Sequence, residues 1–317
     1  MKKILIVGYS QTGQLNQILQ NIAEPLLENE AIALTKVDLI PQENFPFPWS
    51  FFSFFSIFPE CVMMDAQPNQ NDPALDEHYD LVILGYQPWF LSPSLPTSAF
   101  LKSEQAKLLF KNTPVITVVG CRNMWGQAHL KVKEQLASLG ANHIDNIVLQ
   151  DQGPSFATFI TTPLWLLTGK KDGFLNFPPA GISPKDITNA CRFGKAISHH
   201  ISEAHEIGNQ PILSGLGAVK ANASLLQSEK IGARSFHIWG TLIRKLSSKP
   251  TDFIRIPILI VYIAFLIVMI LTVVPLSMLL RKLLNPFFSA KISALEAEFE
   301  KPSGSSTSRI NDFKCDE

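Results

Sequence analysis

The sequence has few charged residues, and the two signs balance. Of 317 residues, 17% are charged and 46% are hydrophobic, whereas an ordinary soluble protein has about 25% charged residues. Lys and Arg together number 27, as do Asp and Glu, so no basic excess would attract nucleic acid. The composition excludes general disorder and predicts additional apolar surface, such as a membrane segment.

Cysteine is also scarce. The four cysteines form neither a CxxC pair nor a zinc-ligand spacing, which excludes a disulfide scaffold and favours a reduced, cytosolic setting. His199, His200 and His205 do not share a helix face at the i,i+4 spacing, so no metal site is expected. We expect no secretory signal, because the apolar run 4–7 is shorter than the roughly 7–15 residues that a signal needs.

What the sequence does contain is an alternation of strands and helices. Short apolar runs predict five strands, over residues 4–7, 31–38, 80–85, 114–120 and 144–149. Helical spacing of apolar residues predicts helices over residues 15–27, 98–110, 127–139 and 183–204. This alternation favours a parallel sheet that is covered on both faces and binds ligands at the carboxyl ends of its strands.

The loop after the first predicted strand suits a phosphate group. The run Ser10-Gln11-Thr12-Gly13-Gln14 precedes a helix N-terminus, where backbone N–H groups and the helix dipole favour a dianion. The two hydroxyls add donors, and the glycine allows close approach. The loop has neither the Gly-Lys-Ser/Thr of an ATP P-loop nor the G-x-G-x-x-G of a dinucleotide site. An ordinary polar turn remains the alternative.

These residues resemble the FMN-phosphate loop of flavodoxins, whose pattern is roughly Ser/Thr-x-Thr-Gly-x-Thr. Ser10, Thr12 and Gly13 match that pattern, and Leu15 stands where the family usually has Thr. The runs 79–89 and 118–125 resemble the loops after the third and fourth flavodoxin strands. The resemblance covers roughly residues 1–205 and implies a flavodoxin-like, doubly wound α/β fold with a five-stranded parallel sheet in the order 2-1-3-4-5.

The resemblance implies FMN as the cofactor, held by three loops. Trp89 and Trp125 would stack on the flavin ring, and backbone groups of residues 120–123 would bind its polar edge. The implied cofactor-binding residues are Ser10, Gln11, Thr12, Gly13, Gln14, Pro88, Trp89, Gly120, Cys121, Arg122, Asn123 and Trp125.

Three side chains are candidates for the chemistry itself. Arg122 could stabilise a developing enolate, and Tyr86 or His129 could relay a proton. The alternatives are a surface ion pair for Arg122 and a solvated helix face for His129.

Three stretches narrow the resemblance: residues 9–15, the Phe-rich run that ends Phe58-Pro59-Glu60, and residues 122–125. Together they resemble a bacterial family of dialkylresorcinol condensing enzymes, found with aryl-polyene or flexirubin-type lipid pathways. Neither Cys61 nor Cys121 has the context of a ketosynthase nucleophile. A flavin fold instead suits the oxidation of a dialkyl-cyclohexanedione to an aromatic resorcinol. A second copy of the chain and another pathway enzyme are both open as protein partners.

Two insertions interrupt the predicted sheet domain. The Phe-rich insertion 45–60 has three interpretations: a lid over an alkyl pocket, a membrane-dipping loop, or core packing. The second insertion, residues 152–182, is rich in Gly and Pro and separates the fifth predicted strand from the last predicted helix.

The C-terminal third predicts a membrane helix within residues 254–284. The charge-free run 256–280, at about 1.5 Å per residue, exceeds the roughly 30 Å of hydrocarbon in a bilayer. Pro257 and Pro275 leave open whether it spans the bilayer or forms a hairpin. Residues 206–250 are predicted as a linker with an amphipathic helix at 231–246, either interfacial or docked on the sheet domain. The serine-rich tail 301–317 predicts disorder.

These features predict a flavin-dependent oxidoreductase on the inner, cytoplasmic membrane, with its flavodoxin-like domain facing the cytoplasm. Its partners would be membrane lipid and an alkylated cyclic or quinone-like substrate. A non-catalytic, flavodoxin-shaped membrane scaffold is the alternative.

Overall fold

A five-stranded parallel sheet forms the centre of the molecule. The computed structural model describes residues 1–172, 176–204, 207–247, 249–273, 275–276 and 289–315. The sheet strands are β1 (Lys2–Gly8), β2 (Ile32–Asp38), β3 (Leu81–Tyr86), β6 (Pro114–Cys121) and β7 (Asn142–Gln150), and a short antiparallel pair, β4 (Pro88–Trp89) and β5 (Ser92–Pro93), follows β3. The sheet order is β2-β1-β3-β6-β7. Counted along the chain this is 2-1-3-4-5, so the predicted flavodoxin-like topology is confirmed.

Helices cover the sheet, and every residue of β3 is buried. The described α-helices are α1 (Gln14–Leu27), α2 (Phe51–Ser56), α3 (Phe58–Met63), α4 (Leu95–Leu101), α5 (Glu104–Phe110), α6 (Gly126–Ser138), α7 (Ser155–Thr168), α8 (Pro184–Thr188), α9 (Cys191–Ala204), α10 (Ala223–Leu246), α11 (Arg255–Val268) and α12 (Ser289–Glu300). Helices α1 and α9 pack so closely that a Cβ at Gly194 would collide with the carbonyl oxygen of Ile22. That glycine therefore sets the distance between the two helices.

Two predicted helices are each divided in two. The helix predicted over 98–110 is interrupted at Ser103, whose hydroxyl accepts a hydrogen bond from the N–H of Ala106 at 3.1 Å and so caps α5. The helix predicted over 183–204 becomes α8 and α9. A polar cap inside an apolar periodic run can thus begin a new helix without changing the buried face.

Both insertions contain helices that the sequence analysis did not predict. The Phe-rich insertion forms α2 and α3, and Ser50 caps α2 by accepting a hydrogen bond from the N–H of Ser53. Residues 155–168 of the second insertion form α7, with Pro163 inside it; residues 173–175 lie outside the described residues. The Pro and Gly content of these stretches argued against helices in the sequence analysis. Pro59, however, lies in the first turn of α3, where proline is tolerated.

The sheet domain extends beyond the predicted boundary at residue 205. Ile212, Leu216 and Val219 are buried in the main core, and the N–H of Val148 in β7 donates to the carbonyl of Ala218 at 2.8 Å. The segment predicted as a linker therefore begins as an edge of the sheet domain. His205 lies outside the described residues.

The C-terminal tail is ordered, which corrects the predicted disorder of residues 301–317 as far as Cys315. The hydroxyl of Ser303 donates to the carboxylate of Asp145 at 2.6 Å, and Phe313 is buried. Cys191 and Cys315 form a disulfide, a pairing that the sequence analysis did not expect. The serine-rich composition suggested a solvated tail, but the hydroxyl of Ser303 has buried partners on β7, at Asp145 and Asn146.

Helices α10 and α11 follow the sheet domain, and α11 is apolar. Helix α10 starts at Ala223, eight residues before the predicted start at residue 231, because Asn222 caps it through the N–H of Leu225. Helix α11 continues into a π-helical turn, Met269–Val273. By length and composition, residues 255–273 could cross a membrane, and only 17% of this stretch is buried. Residues 274 and 277–284 of the predicted segment lie outside the described residues.

Candidate functional site

The predicted phosphate loop lies at the carboxyl end of β1. Gly13 adopts a left-handed conformation with φ of 82° and leads into α1, whose N-terminus no side chain caps within the described residues. The hydroxyl oxygen of Ser10 is buried and has no hydrogen-bond partner in the part of the chain that the structure describes. A buried hydroxyl without a partner costs about 1–3 kcal/mol. An anion at the start of α1 would supply that partner.

Two glutamines of this loop already have partners in the protein. The side-chain amide of Gln14 donates to the carbonyl of Ile182 at 3.1 Å and accepts from its N–H at 3.2 Å. The amide of Gln11 donates to the carbonyl of Pro46 at 3.2 Å. Both side chains therefore tie the loop to the insertions, which leaves only their backbone groups for the predicted cofactor contact.

Aromatic rings surround Trp89 in the second predicted loop. The rings of Tyr9, Phe45 and Trp49 meet it edge-on, with centroids 5.9, 5.3 and 5.9 Å away. Trp89 remains partly exposed in β4, beside the equally half-buried Pro88. The Phe-rich insertion thus contributes to the wall of the predicted flavin site.

Gln87 is a candidate ligand that the sequence analysis did not single out. Its side-chain nitrogen is buried and, among the described residues, has no hydrogen-bond partner. Gln87 immediately follows β3, and this position at a strand end is the sequence feature that could have marked it as a candidate ligand. An amide donor at this position suits a polar edge of a planar cofactor.

The third predicted loop begins inside β6. The ladder between β3 and β6 ends at the pair Tyr86–Val119, whereas Gly120 and Cys121 continue to pair with β7. The backbone of these two residues therefore passes the end of β3 on the side of the crevice. Burial raises the pKa of the Cys121 thiol, which keeps it protonated.

Arg122 and Asn123 are held by α7. The Arg122 guanidinium lies 4.2 Å from the ring centroid of Phe159, and its Nε donates to Asn123 at 3.2 Å. Burial lowers the pKa of Arg122 to about 10, so it stays charged near neutral pH. The side-chain amide of Asn123 donates to the Ser155 hydroxyl at 3.1 Å. A cation is thus positioned at the strand ends in partly dry surroundings.

The other predicted catalytic side chains are in the core. Tyr86 and His129 lie together, with Oη and Nδ1 3.4 Å apart, but they are only 0% and 3% exposed. Burial, with a contribution from His143, lowers the pKa of His129 to about 3 and keeps it neutral. The structure corrects the predicted proton relay, because substrate cannot reach either group.

Trp125 is also displaced from its predicted role. It is 2% exposed, and its ring packs against His129 and Phe299, with centroids 5.6 and 6.2 Å away. An apolar ring before a helix start can face either the crevice or the core, and here it faces the core. Of the two predicted stacking residues, Trp89 is therefore the one whose ring is partly exposed.

Glu229 is a buried carboxyl that no local motif indicated. It comes from α10, and its Oε2 accepts a hydrogen bond from the N–H of Gln127 at 2.8 Å in the first turn of α6. Its Oε1 is buried without a described partner. Burial raises the pKa of Glu229 to about 7, while Arg122 acts in the opposite direction. The hundred or so residues between Glu229 and the loop explain why sequence spacing did not reveal it.

A cavity of about 350 Å³ lies beside the Phe-rich insertion. Phe45, Ile57 and Leu95 contribute apolar walls, and charges of both signs line the rest, from Arg244, Lys249, Glu43, Glu60 and Asp65. Phe45 lines this cavity and also contacts Trp89, so the two rings connect the cavity to the predicted flavin site.

Comparison with known proteins yields structural matches only. No family model and no curated protein match the sequence. A flavoprotein in complex with FMN from Lactobacillus acidophilus matches with 20% identity and a TM-score of 0.37, over 47% of this chain and 93% of its own. A WrbA-like flavodoxin from Agrobacterium tumefaciens matches with 13% identity and a TM-score of 0.36, over 65% and 100%. Oxidised Flavodoxin 1 from Bacillus cereus matches with 13% identity and a TM-score of 0.33, over 61% and 94%. At these TM-scores, the flavodoxin-like topology rests on the strand order itself.

Proposed function

We propose that the protein is a membrane-tethered, FMN-dependent oxidoreductase that acts on an alkylated cyclic or quinone-like substrate. The observation that carries the proposal is the buried, unpartnered hydroxyl of Ser10, placed between β1 and the uncapped start of α1. A phosphate there would accept hydrogen bonds from Ser10 and from the first-turn N–H groups.

The residues around the strand ends fit FMN. Ser10 and Thr12 would hold its phosphate, and the amide of Gln87 with the backbone after Gly120 would bind its polar edge. Trp89 offers a partly exposed ring. Bound FMN would supply hydride transfer. Arg122 would then stabilise negative charge on a substrate that loses a proton.

The substrate that we favour is a dialkyl-cyclohexanedione, which would become a dialkylresorcinol by losing a hydride to bound FMN and a proton to solvent water. Two observations support an alkylated substrate. Phe51 and Phe52 of the insertion are 44% and 43% exposed, and α11 leaves most of its apolar surface uncovered. An alkylated molecule concentrates in the bilayer, so a tether at the inner membrane, with the sheet domain on the cytoplasmic side, would bring enzyme and substrate together.

A non-catalytic membrane scaffold is the second candidate. The burial of Tyr86 and His129 favours it, because Arg122 is then the remaining predicted catalytic side chain with partial exposure. Leu15, which replaces the usual Thr of the loop, is itself buried in the core.

The test is the absorbance spectrum of the full chain purified in detergent, with two substitutions at Thr12. Thr12→Asp places a carboxylate against the phosphate and should abolish flavin retention through charge repulsion. Thr12→Asn is the neutral control of nearly equal shape and should retain flavin. Flavin retained equally by both variants would contradict the site, and no flavin in the unmodified protein would favour the scaffold.

A further inference from the structure

We infer that the apolar segment enters and leaves the bilayer on the same side, so that the protein is embedded without spanning the membrane. This inference rests on the membrane tether in the proposed function. The juxtaposition that carries it is the packing of both flanks of the segment, α10 before it and α12 with the tail after it, on one sheet domain.

The upstream flank is fixed at Arg255, the first residue of α11. Its guanidinium is fully buried and donates to both carboxylate oxygens of Glu60, at 2.9 and 3.0 Å. The remaining N–H groups donate to the carbonyl of Ser56 and to the hydroxyl and carbonyl of Ser247. The start of α11 is therefore joined to α3 of the Phe-rich insertion and to the end of α10.

The same flank is also held by an apolar contact. Phe58 of α3 stacks on Tyr262 of α11, with ring centroids 4.4 Å apart and planes at 15°. Ile243 of α10 and Leu259 of α11 are buried in the same cluster. One face of the first two turns of α11 therefore packs on the protein, whereas Val261 on another face of these turns and Ile267 in a later turn are exposed.

The downstream flank is fixed to the same domain at α12. The carboxylates of Glu296 and Glu300 accept hydrogen bonds from the N–H groups of Ala223 and Ala221, at 2.9 and 3.1 Å. Phe299 packs against the main core beside Trp125. The chain has therefore returned to the start of α10 by the end of α12.

The tail extends this attachment to Cys315. The N–H of Gly217 donates to the carbonyl of Ser306 at 2.7 Å, and the N–H of Arg309 donates to Gly215 at 2.8 Å. Phe313 is buried in the main core, and the side chain of Lys195 in α9 donates to the carbonyl of Lys314 at 2.8 Å, so the tail is joined to α9. A single span would place roughly 30 Å of hydrocarbon between the tail and this domain, which these contacts do not allow.

The chain is long enough to return. Residues 255–273 would reach about 28 Å from the domain at 1.5 Å per residue. A return through hydrocarbon has to satisfy its own backbone hydrogen bonds, so the roughly 13 residues from Leu276 to Ser289 would cover about 20 Å at 1.5 Å per residue. The length of the segment therefore permits same-side return when α11 runs obliquely to the bilayer normal.

The experiment places single cysteines in the full chain and labels them with a membrane-impermeant maleimide in vesicles of both orientations. Leu108→Cys probes the sheet domain, at a side chain that is 70% exposed, and Asn311→Cys probes the exposed tail. Val261→Cys, at a 58% exposed position of α11, probes the bilayer. The unmodified chain gives the background of the native cysteines.

We expect Leu108→Cys and Asn311→Cys to be labelled in the same vesicle population, and Val261→Cys to be labelled only after detergent is added. Labelling of the first two in opposite populations would overturn the same-side inference while leaving the membrane tether intact. Labelling of Val261→Cys without detergent, together with release of the protein by alkaline carbonate, would overturn the tether and the inference with it. Flavin content, measured in the same samples, reports separately on the oxidoreductase proposal.

Discussion

At the start of α11, the buried guanidinium of Arg255 uses all five of its N–H donors, whereas at the end of β1 the buried hydroxyl of Ser10 has no described partner. Both groups are polar and removed from water. Burial is stabilising only where a polar group is paired. The first site is therefore complete without a ligand, and the second site is completed by one.

The two parts of the molecule differ in whether their buried polar groups need a ligand as a hydrogen-bond partner. The junction of α3, α10 and α11 holds a charge pair that fixes an apolar helix to the domain. The strand ends instead present Ser10 and Gln87 with unsatisfied groups. Substitutions should therefore affect stability at the junction and ligand binding at the strand ends.

The largest stability effect is expected for Arg255→Met. This change leaves the Glu60 carboxylate buried without its partner, and breaking a buried pair costs about 3–5 kcal/mol. Arg244→Met is the matched control, because Arg244 pairs with Asp65 where both side chains are partly exposed, and such pairs contribute about 0–1 kcal/mol. The measurement is chemical unfolding of the full chain in detergent. Equal, small losses for both variants would contradict the structural role of Arg255.

The second effect concerns Glu229, which connects α10 to the first turn of α6, directly after the third predicted loop. Its pKa is raised from 4.5 to about 7, so between those values the folded protein holds a proton that the unfolded chain releases. Its contribution to stability is complete below about pH 4.5 and is lost as the pH rises through about 7.

Glu229→Gln should therefore remove a loss of roughly 2–3 kcal/mol that the unmodified protein shows between about pH 5 and pH 8. The exposed Glu203, replaced by Gln, serves as the control. The measurement is the free energy of unfolding of the unmodified protein and of both variants at about pH 5 and about pH 8. A pH dependence that survives in Glu229→Gln and is equal in both variants would assign it to other groups.

The smallest stability effect is expected for the exposed rings of the insertion. Phe51→Ser with Phe52→Ser should change the unfolding free energy by less than about 1 kcal/mol. It should also flatten the rise in substrate affinity of about 3–4-fold per methylene that alkyl burial predicts. Phe54→Ser is the contrasting variant, since its ring packs on Trp49 and Phe90. An unchanged length dependence, measured at fixed detergent, would remove the insertion from the alkyl pocket.

The sheet could be predicted from the sequence because four of its strands are short, mainly apolar runs with most of their residues buried, whereas β2 is a weaker signal with only Ile32 and Val37 buried. The Ser10–Gln14 loop could be placed for the same reason, since it follows the first such run directly. The boundaries of α5 and α9 were harder, because the apolar period continues across the short interruptions between α4 and α5 and between α8 and α9.

Long-range packing explains what could not be predicted. Tyr86 is the last residue of β3, and Trp125 and His129 come after β6, yet all three side chains are buried in the core, and local spacing does not reveal their direction. Glu229 and Ser303 act on residues far away in the chain, at Gln127 and Asp145. Composition alone also made the tail resemble a solvated segment.

The most direct measurement compares the affinities of the purified full chain for FMN and for riboflavin, which lacks the phosphate. If Ser10 and the start of α1 bind the phosphate, two charge-assisted hydrogen bonds of about 1.5–3 kcal/mol each should make FMN bind at least roughly a hundredfold more tightly. Ser10→Ala should weaken FMN binding by about tenfold, leave riboflavin binding unchanged, and leave the flavin-free protein no less stable. Equal affinities for FMN and riboflavin in the unmodified protein would contradict the account.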